Sequence, residues 1–308
     1  MDTKKIFNQL KEEFSHLEIY KNHSLAPYTT VKIGGPADIF IHSKSPNNFL
    51  NLLKYISNLD PLPPLTILGN GSNTLISDNG LQGIVIKNDS QQINKISDSE
   101  IEVISSTQLS QTLNFCLDNN LLGLEEFAYI PSTIGGAIYG NIHGTKKNNF
   151  SKFIQSIKVF DLNLKETRIL KIQDLDWNYD YSSFQDQSNL IILSAILKLT
   201  AGNTDQAKKE YQQIIKEKTQ SQPTNSLGSV FKNIPNQPPI GHIIDKQLNL
   251  KGHSIGDAQI SPIHANFIIN KGNATAKDYY HLIQLIQSQA KKQLNLTFEL
   301  EIKLLGKF

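Results

Sequence analysis

The stretch Leu68-Gly69-Asn70-Gly71-Ser72-Asn73-Thr74-Leu75-Ile76-Ser77-Asp78 comes directly after an apolar run at 64–67, which predicts a buried strand. Gly69 and Gly71 have no side chain, so their backbone N–H groups can approach phosphate oxygens that a larger residue would block. The serine, asparagine and threonine that follow add short donors at the same place. This stretch fits either a loop that holds a diphosphate or an ordinary turn, and the choice depends on the rest of the chain.

The composition is that of an ordinary globular protein. The 308 residues are 39% hydrophobic and 19% charged, with a formal net charge of +2, so bulk electrostatics favour neither a nucleic-acid nor a membrane partner. Among the 30 basic residues, only Arg168 is an arginine. Any other contact to an anion must therefore be made without the bidentate geometry of a guanidinium.

The lone cysteine and the amino terminus both indicate a reducing compartment. Cys116 has no partner for an internal disulfide, and its apolar neighbours predict a core position and not a reactive thiol. No apolar run approaches the ~20 residues that span a bilayer. The chain begins with an amphipathic pattern in place of a signal peptide, so we expect a cytoplasmic protein.

Apolar periodicity predicts helices and strands in an irregular order. Helices are predicted from about residue 4, over 49–56, 107–119 and 275–294 with Thr275 as the N-cap of the last, and in a lysine-rich segment after residue 205. Strands are predicted at 65–68, 84–87, 101–105, 156–162, 166–171, 190–199 and 298–304.

This mixed order predicts an α+β fold. The strands are not separated by regular helices and no G-x-G-x-x-G follows a strand, which argues against a doubly wound dinucleotide-binding sheet. Polar turn residues at 201–205 indicate a domain boundary. We expect a first domain over residues 1–202, with subdomains of about 1–60 and 61–202, and a second domain over residues 203–308.

A second glycine-containing segment runs from Pro131 through Ser132 and Thr133 to Gly135 and Gly136. By itself it is more typical of a tight turn in a buried loop. Two such loops, each preceded by an apolar run, favour a large cofactor that carries phosphate.

A compact polar cluster occupies residues 226–233. Ser229 could donate a proton, and Lys232 and Asn233 could hold an anion or a carbonyl. No histidine lies at a spacing that would activate the serine, so a Ser-His-Asp hydrolase that uses His264 and Asp245 has little support.

The alternation over 298–304 places Glu299, Glu301 and Lys303 on one face of a strand. Two carboxylates on one face can act in acid–base catalysis. The commoner interpretation is the solvated face of an edge strand.

Taken together and in order, these motifs resemble the UDP-N-acetylenolpyruvoylglucosamine reductases of bacterial peptidoglycan synthesis. The resemblance covers about residues 22–306 at the spacing of that family. It is carried by the segments 28–38, 69–78, 130–141, 228–233 and 264–270, by Glu301 and by the closing Gly306.

The resemblance implies an FAD-binding domain of the vanillyl-alcohol-oxidase (PCMH) type, followed by a smaller α+β substrate-binding domain. It implies non-covalent FAD, NADPH as co-substrate, a UDP-sugar substrate and a monomer without a metal. It places the protein in cell-wall synthesis, and so in cell shape and division.

The resemblance also implies a role for each matching residue. NADPH first reduces the flavin; the enolpyruvyl group then receives a hydride and a proton, with Ser229 as proton donor and Glu301 stabilising the enol-like intermediate. Tyr179, Lys232 and Asn233 are the expected substrate-binding residues. The residues expected to bind FAD are Gly69, Asn70, Gly71, Ser72, Asn73, Pro131, Ser132, Thr133, Gly135 and Gly136.

Asp180 departs from this family pattern. It stands where the family has an arginine that grips the substrate carboxylate, and two like charges about 4 Å apart cost ~1 kcal/mol in water and ~4 kcal/mol at an intermediate dielectric. Ser132, His143 and Ile263 are smaller departures. The sequence leaves open an active reductase, a catalytically impaired FAD-binding homologue with a binding or regulatory role, and an oxidase with another substrate.

Overall fold

The computed structural model describes residues 2–144 and 148–308. The α-helices are α1 (Thr3–Glu13), α2 (Pro46–Ile56), α3 (Leu109–Asp118), α4 (Ile134–Gly140), α5 (Asp205–Ser221), α6 (Ile240–His242), which continues as a π-helical turn (Ile243–Gln247), and α7 (Ala276–Leu294). Short 3-10 helices lie at Ala26–Tyr28, Glu125–Phe127, Phe150–Phe153, Ile172–Asp174 and Ser183–Gln185.

The strands are short, apart from a few that cross the larger sheets. They are β1 (Glu18–Ser24), β2 (Pro36–Ser43), β3 (Leu65–Leu68), β4 (Thr74–Ile76), β5 (Leu81–Asn88), β6 (Ile93–Lys95), β7 (Glu100–Ile104), β8 (Leu121–Leu122), β9 (Ile154–Asp161), β10 (Glu166–Lys171), β11 (Trp177–Asn178), β12 (Tyr181–Ser182), β13 (Leu190–Lys198), β14 (Thr200–Ala201), β15 (Ser254–Ile255), β16 (Ala258–Ile260), β17 (Ile268–Asn270) and β18 (Lys303–Leu305).

Most of the predicted elements are confirmed, and one is wrong. Strands β3 and β10 have the predicted bounds, and Thr275 caps α7 by accepting a hydrogen bond from the N–H of Asp278. The predicted strand over 298–304 is wrong, because β18 begins only at Lys303. Before it, residues 301 and 302 form a bend, and the preceding segment makes one isolated bridge, between Leu300 and Phe231.

The described chain forms two compact units, each assembled from several segments. The first unit consists of Met1–Ile19, Ile41–Gly69 and Ile86–Glu217, and the second of Tyr20–Phe40, Asn70–Val85 and Lys218–Phe308. One four-stranded sheet has the order β1-β2-β5-β3. The predicted domains are consecutive in sequence, and their boundary at residue 202 stays a prediction.

The first unit contains a five-stranded sheet of order β10-β9-β13-β7-β6, with antiparallel pairing throughout. Its apolar residues pack with α3 and α4 into one core, in which the rings of Phe127 and Phe150 meet edge to face at 5.4 Å. This core includes Ile101, Val103, Leu113, Phe127, Ile138, Phe150, Ile157, Val159 and Leu197.

The second unit has its own core around α7. This helix buries Tyr279, Leu282, Ile283, Ile286 and Ala290, a spacing that puts them on one face of a 3.6-residue period. They pack with the three-stranded sheet β15-β16-β17 and with residues from all three chain segments of the unit. The same core includes Val31, Ile33, Leu75, Val230, Phe231, Ile260, Ile268, Phe298 and Ile302.

Asp78, the last residue of the stretch quoted above, anchors the start of α7. Its two carboxylate oxygens accept hydrogen bonds from the N–H groups of Ala276 (2.8 Å) and Lys277 (2.9 Å). The first N–H groups of a helix have no partner within the helix, and a negative charge there also interacts favourably with the helix dipole. Strand β4, just before Asp78, pairs in parallel with β18. Residues 74–78 are therefore held by strand pairing with β18 and by the hydrogen bonds of Asp78 to α7.

Replacing Asp78 with alanine should loosen the amino-terminal turn of α7. The variant loses two hydrogen bonds and a favourable charge, worth about 1–2 kcal/mol. Hydrogen–deuterium exchange should show faster exchange at the amides of Ala276 and Lys277. Asp98→Ala is the matched control, because Asp98 is fully exposed and forms only a 3.6 Å ion pair with Lys95. Equal exchange in both variants would contradict the capping role.

Cys116 lies in the core of the first unit, as its neighbours predicted. It is only 2% exposed, and burial, assisted by the charge of Glu125, raises the pKa of its thiol to about 12. Only the thiolate reacts readily with electrophiles.

Cys116 should therefore resist alkylation in the folded protein. With iodoacetamide near neutral pH, intact-mass measurement should find the native protein unmodified and the urea-unfolded protein carrying one adduct. Rapid modification of the native protein, at a rate close to that of the unfolded chain, would contradict burial of the thiol.

Candidate active site

The loop that contains Gly71 is built by close contact with the backbone of the second unit. Gly71 has a left-handed conformation (φ +57°), and a Cβ atom there would lie 2.6 Å from the carbonyl oxygen of Tyr28 and 2.9 Å from the Cα of Thr29. The Gly71 carbonyl accepts a hydrogen bond from the N–H of Thr30 (3.3 Å). Only glycine fits this position without moving the neighbouring chain.

This loop leaves consecutive backbone donors unpaired. Within residues 2–144 and 148–308, the N–H groups of Gly71, Ser72 and Asn73 donate to no protein acceptor, although Gly71 is buried. The other polar groups of Asn73 are used: its carbonyl accepts from the N–H of Lys303 (2.9 Å), and its side-chain amide donates to the carbonyl of Glu301 (3.2 Å). Successive free N–H groups beside a left-handed residue form a concavity suited to an anion.

In the segment from Pro131 to Gly136, in the first unit, the N–H groups of both glycines form hydrogen bonds within the protein. The N–H of Gly135 donates to the carbonyl of Ser105 (2.7 Å), and that of Gly136 donates to Oγ1 of Thr133, which caps α4. A Cβ on Gly136 would lie 2.8 Å from Oγ of Ser132. These glycines thus permit tight packing within the protein, and the assignment of this segment to FAD stays a prediction.

Two candidate catalytic residues lie on neighbouring extended chains of the second unit. The N–H of Glu301 donates to the carbonyl of Val230 (2.9 Å), the residue after Ser229. The N–H of Lys232 donates in turn to the carbonyl of Glu299 (2.9 Å), so the two chains run antiparallel. Ser229 is partly exposed, and within the described residues its hydroxyl forms no hydrogen bond. The structure thus pairs the backbone segment that carries Ser229 with the segment that carries Glu301, 72 positions later in the sequence.

Lys232 and Asn233 have local partners on the same chain segments. The ammonium of Lys232 forms an ion pair with Glu299 (2.7 Å), and Oδ1 of Asn233 accepts the N–H of Ile240 (3.0 Å) at the start of α6. Glu299 is three-quarters exposed, so this ion pair is readily exchanged for a ligand. A substrate-binding role for both residues stays a prediction.

The residues of the hydrolase alternative do not assemble. Asp245 pairs with Lys246 and Lys251 at 3.5 and 3.3 Å. Nδ1 of His264 accepts the N–H of Asn266 (3.2 Å), and burial lowers the pKa of this histidine. Among the residues that the structure describes, no group of three or more His, Cys, Asp or Glu side chains is arranged to hold a metal ion.

Asp180 is part of a three-residue cluster in the first unit. Nδ1 of His143 donates to Oδ1 of Asp180 (2.8 Å), and Nε2 of the same imidazole lies 3.0 Å from the hydroxyl of Tyr179. The rings of Tyr179 and His143 stack with centroids 4.5 Å apart. Sequence reasoning identified Tyr179 and Asp180 but not the contribution of His143, because no spacing pattern signals a contact across 36 positions.

Arg168, the single arginine of the chain, forms an ion pair with Asp161 in the first unit. Nη1 of Arg168 donates to Oδ2 of Asp161 (2.8 Å), whose side chain is 4% exposed. Burial by itself would raise the pKa of Asp161, but hydrogen bonds from Asn189, Arg168 and two backbone N–H groups outweigh it and lower the pKa. Arg168 therefore stabilises the end of β9.

Comparisons with known proteins identify the family of the chain. Residues 38–169 match the FAD binding domain family, and residues 219–305 match the C-terminal domain of UDP-N-acetylenolpyruvoylglucosamine reductase. The chain is 36% identical over 304 residues to the UDP-N-acetylenolpyruvoylglucosamine reductase of Listeria welshimeri, covering 97% of this chain and 99% of that one. It is 34% identical to the corresponding reductase of Caldanaerobacter subterraneus, with 98% of each chain covered.

The chain belongs to the UDP-N-acetylenolpyruvoylglucosamine reductase family. A solved structure agrees: the crystal structure of the reductase from Thermus caldophilus matches with a TM-score of 0.78 at 28% identity, covering 94% of this chain and 99% of that one. The predicted fold class is therefore confirmed, with an FAD-binding domain and a C-terminal domain of this family. No helix in the described part of the chain is long and apolar enough to cross a membrane.

As a member of this reductase family, the chain is an FAD-dependent oxidoreductase, and the donors in its structure fit the cofactor. The diphosphate of FAD needs several convergent hydrogen-bond donors. The free N–H groups of Gly71, Ser72 and Asn73 are donors of that kind, whereas those of Gly135 and Gly136 are occupied. The loop of residues 70–73 is thus the stronger candidate for the phosphates.

Gly71→Ala should release FAD. The new Cβ would collide with the backbone of Tyr28 and Thr29, at a cost of about 1–3 kcal/mol, and would displace the free N–H groups. The measurement is the ratio of flavin to protein absorbance after gel filtration. Gly252→Ala is the matched control, since Gly252 also has a positive φ (+82°) but its Cβ would meet nothing within 4 Å. Full retention of FAD by both variants would contradict a role for this loop.

Proposed function

We propose that this protein reduces UDP-N-acetylglucosamine enolpyruvate to UDP-N-acetylmuramate, with NADPH as the reductant and non-covalently bound FAD as the cofactor. The observation that carries the proposal is the pairing of the Ser229 segment with the Glu301 segment, in a chain that matches reductases along nearly its whole length. A hydroxyl that bonds to no described residue, on a segment paired with one that carries a carboxylate, is suited to a proton-transfer step.

The reaction adds a hydride and a proton across the enolpyruvyl double bond. When bound, FAD would supply the redox chemistry, which is hydride transfer between NADPH and C3 of the enolpyruvyl group. Ser229 supplies the proton to C2. A serine is a weak acid, so this role depends on the strongly basic, carbanion-like intermediate that hydride addition creates. Glu301 stabilises that intermediate and assists the proton transfer.

The binding residues follow from the same assignment. Gly69 and residues 70–73 would hold the FAD diphosphate, with Pro131, Ser132, Thr133, Gly135 and Gly136 shaping the wall of the cofactor site. Tyr179, Lys232 and Asn233 would bind the UDP-sugar. The ion pair between Lys232 and Glu299 is exposed enough to open for a nucleotide phosphate.

The cellular assignment is the one that such a reaction implies. We propose a cytoplasmic monomer that acts in peptidoglycan synthesis, and so in cell-wall formation, cell shape, the cell cycle and division. The consecutive domains, 1–202 for FAD and 203–308 for the substrate, are part of the same proposal.

The contacts of Asp180 favour an active enzyme over an impaired homologue. A bare carboxylate in place of a cation would repel an anionic substrate. Asp180 instead bonds to His143 and is only 13% exposed, so its charge faces an imidazole. Its position in a two-residue turn with φ +52° also suits an aspartate, which adopts the left-handed conformation more readily than most residues.

Ser229→Ala should separate the two halves of the reaction. Reduction of the flavin by NADPH should keep its wild-type rate, because the serine takes no part in it. Return of the oxidised flavin absorbance on addition of UDP-N-acetylglucosamine enolpyruvate should slow by at least about a hundredfold. Anaerobic stopped-flow absorbance measures both steps.

Ser288→Ala is the control for this experiment. Ser288 lies on the exposed side of α7, and its hydroxyl bonds to a carbonyl of its own helix. This variant should match wild type in both steps. The proton-donor role would be contradicted if Ser229→Ala slowed both steps equally. It would also be contradicted if both steps kept their wild-type rates.

A further inference from the structure

The cluster of Asp180, His143 and Tyr179 is a chain of hydrogen bonds that ends at an exposed hydroxyl. Exposure of the side chains rises along the chain, from 13% for Asp180 to 29% for His143, and Tyr179 as a residue is 48% exposed. Oδ2 of Asp180 is buried and forms no hydrogen bond to any described residue. Among the described residues, the carboxylate of Asp180 thus has one hydrogen-bond partner, which is the imidazole.

Asp180 fixes which nitrogen of His143 carries a proton. A carboxylate accepts only, so Nδ1 of His143 must be the donor in the 2.8 Å contact. In the neutral imidazole, Nε2 is then an acceptor, and the hydroxyl of Tyr179 donates to it. In the imidazolium, Nε2 carries a proton and donates to the Tyr179 oxygen. The hydroxyl proton of Tyr179 is then directed away from the histidine.

The two segments that carry this cluster are fastened to each other by further hydrogen bonds. The side-chain amide of Asn141 donates to the carbonyl of Asn178 (2.7 Å), and the hydroxyl of Ser182 donates to the carbonyl of Tyr139 (2.7 Å). The side chain of Gln185 also donates to the Tyr139 carbonyl (3.0 Å). The geometry of the cluster is therefore held by the backbone on both sides.

We infer that Asp180 and His143 form a relay that makes the Tyr179 hydroxyl a hydrogen-bond donor to the carboxylate of the bound substrate when His143 is protonated. The inference rests on the proposed function, which supplies a substrate with a carboxylate. It answers the charge problem at this position: the only arginine is paired with Asp161, and Asp180 cannot contact an anion itself. Tyr179 contacts the substrate, and the other two are positioning residues.

Several other charged and titratable groups lie on the chain segments near the cluster. Glu126 lies against Gly144, where a Cβ would collide with its carboxylate. Asp186 accepts the hydroxyl of Tyr181 (2.6 Å), and Tyr139 has a pKa raised by burial and by that same aspartate. Two more charged groups are Asp176, which acts on Tyr181, and Lys152, which donates to Asn148. Lys146 and Lys147 lie outside the described residues.

The first test measures binding by the oxidised holoenzyme, without turnover. Binding of UDP-N-acetylglucosamine enolpyruvate is followed by calorimetry between pH 5.5 and pH 8.5. Affinity for this ligand should fall as His143 loses its proton. UDP-N-acetylglucosamine, which lacks the carboxylate, should bind with an affinity that does not change over this range. A flat profile for the carboxylate ligand would overturn the relay.

Variants of the three residues should have different effects on this profile. Tyr179→Phe keeps the ring stack but removes the donor, so affinity for the enolpyruvyl ligand at low pH should fall about ten- to a hundredfold. His143→Gln should abolish the pH dependence. Asp180→Asn keeps an acceptor for Nδ1 and tolerates the left-handed turn, but without its charge the loss of affinity should begin at lower pH.

Tyr181→Phe is the matched control, since it removes a hydroxyl two positions away that also bonds to a carboxylate. It should bind both ligands like wild type. Wild-type affinity in Tyr179→Phe would overturn the relay, and an equal loss in both tyrosine variants would assign the effect to the local structure and overturn it as well.

Nuclear magnetic resonance of the side-chain nitrogens tests the relay without any substrate. The His143 signal is assigned by its loss in His143→Gln. At high pH this signal should show a protonated Nδ1 and an unprotonated Nε2. The opposite tautomer would overturn the relay whatever the binding results.

The proposed function has its own test: if wild-type flavin reduced by NADPH is not reoxidised by the enolpyruvyl substrate, that function fails. If it is reoxidised and Tyr179→Phe binds normally, only the relay fails.

Discussion

The arrangement of the second unit depends on how residues 70–78 are held. Strand β4 pairs in parallel with β18, so the end of the chain returns to a segment more than 200 positions earlier. Asp78 then takes the first two free N–H groups of α7, and Asn73 bonds to the backbone of Glu301 and Lys303. The free donors of the loop and the candidate catalytic glutamate are thus parts of one hydrogen-bonded assembly.

Glycine is required at residue 71 for packing as well as for access of a ligand. Its missing Cβ faces the backbone of Tyr28 and Thr29, not open space. On the same loop, the N–H groups of residues 71–73 donate to no acceptor among the described residues. In the segment 131–136 the glycines allow close packing, and the N–H groups of Gly135 and Gly136 are already bonded within the protein. Similar sequence patterns thus have different chemical consequences.

The substitution at residue 180 illustrates how a charge reversal can be accommodated. The aspartate lies in a tight turn between β11 and β12 and bonds to a histidine from the segment after α4. The pair presents no exposed negative charge, and it orients a neighbouring tyrosine. A chain with a single arginine combines a carboxylate, an imidazole and a phenol at a position where the family resemblance implies a guanidinium.

Local physical chemistry made much of this protein predictable from its sequence. The helical and strand periods placed most elements, Thr275 marked the start of α7, and the ordered motifs identified the family. Ser229 and Glu301 stay predicted catalytic residues. The sequence did not predict which N–H groups are free, that the 298–304 strand would shrink to Lys303–Leu305, or that His143 would meet Asp180. Periodicity and capping act between residues close in sequence, so the sequence alone determines them. Hydrogen bonds between distant segments depend on the path of the whole backbone, and only the tertiary structure decides them.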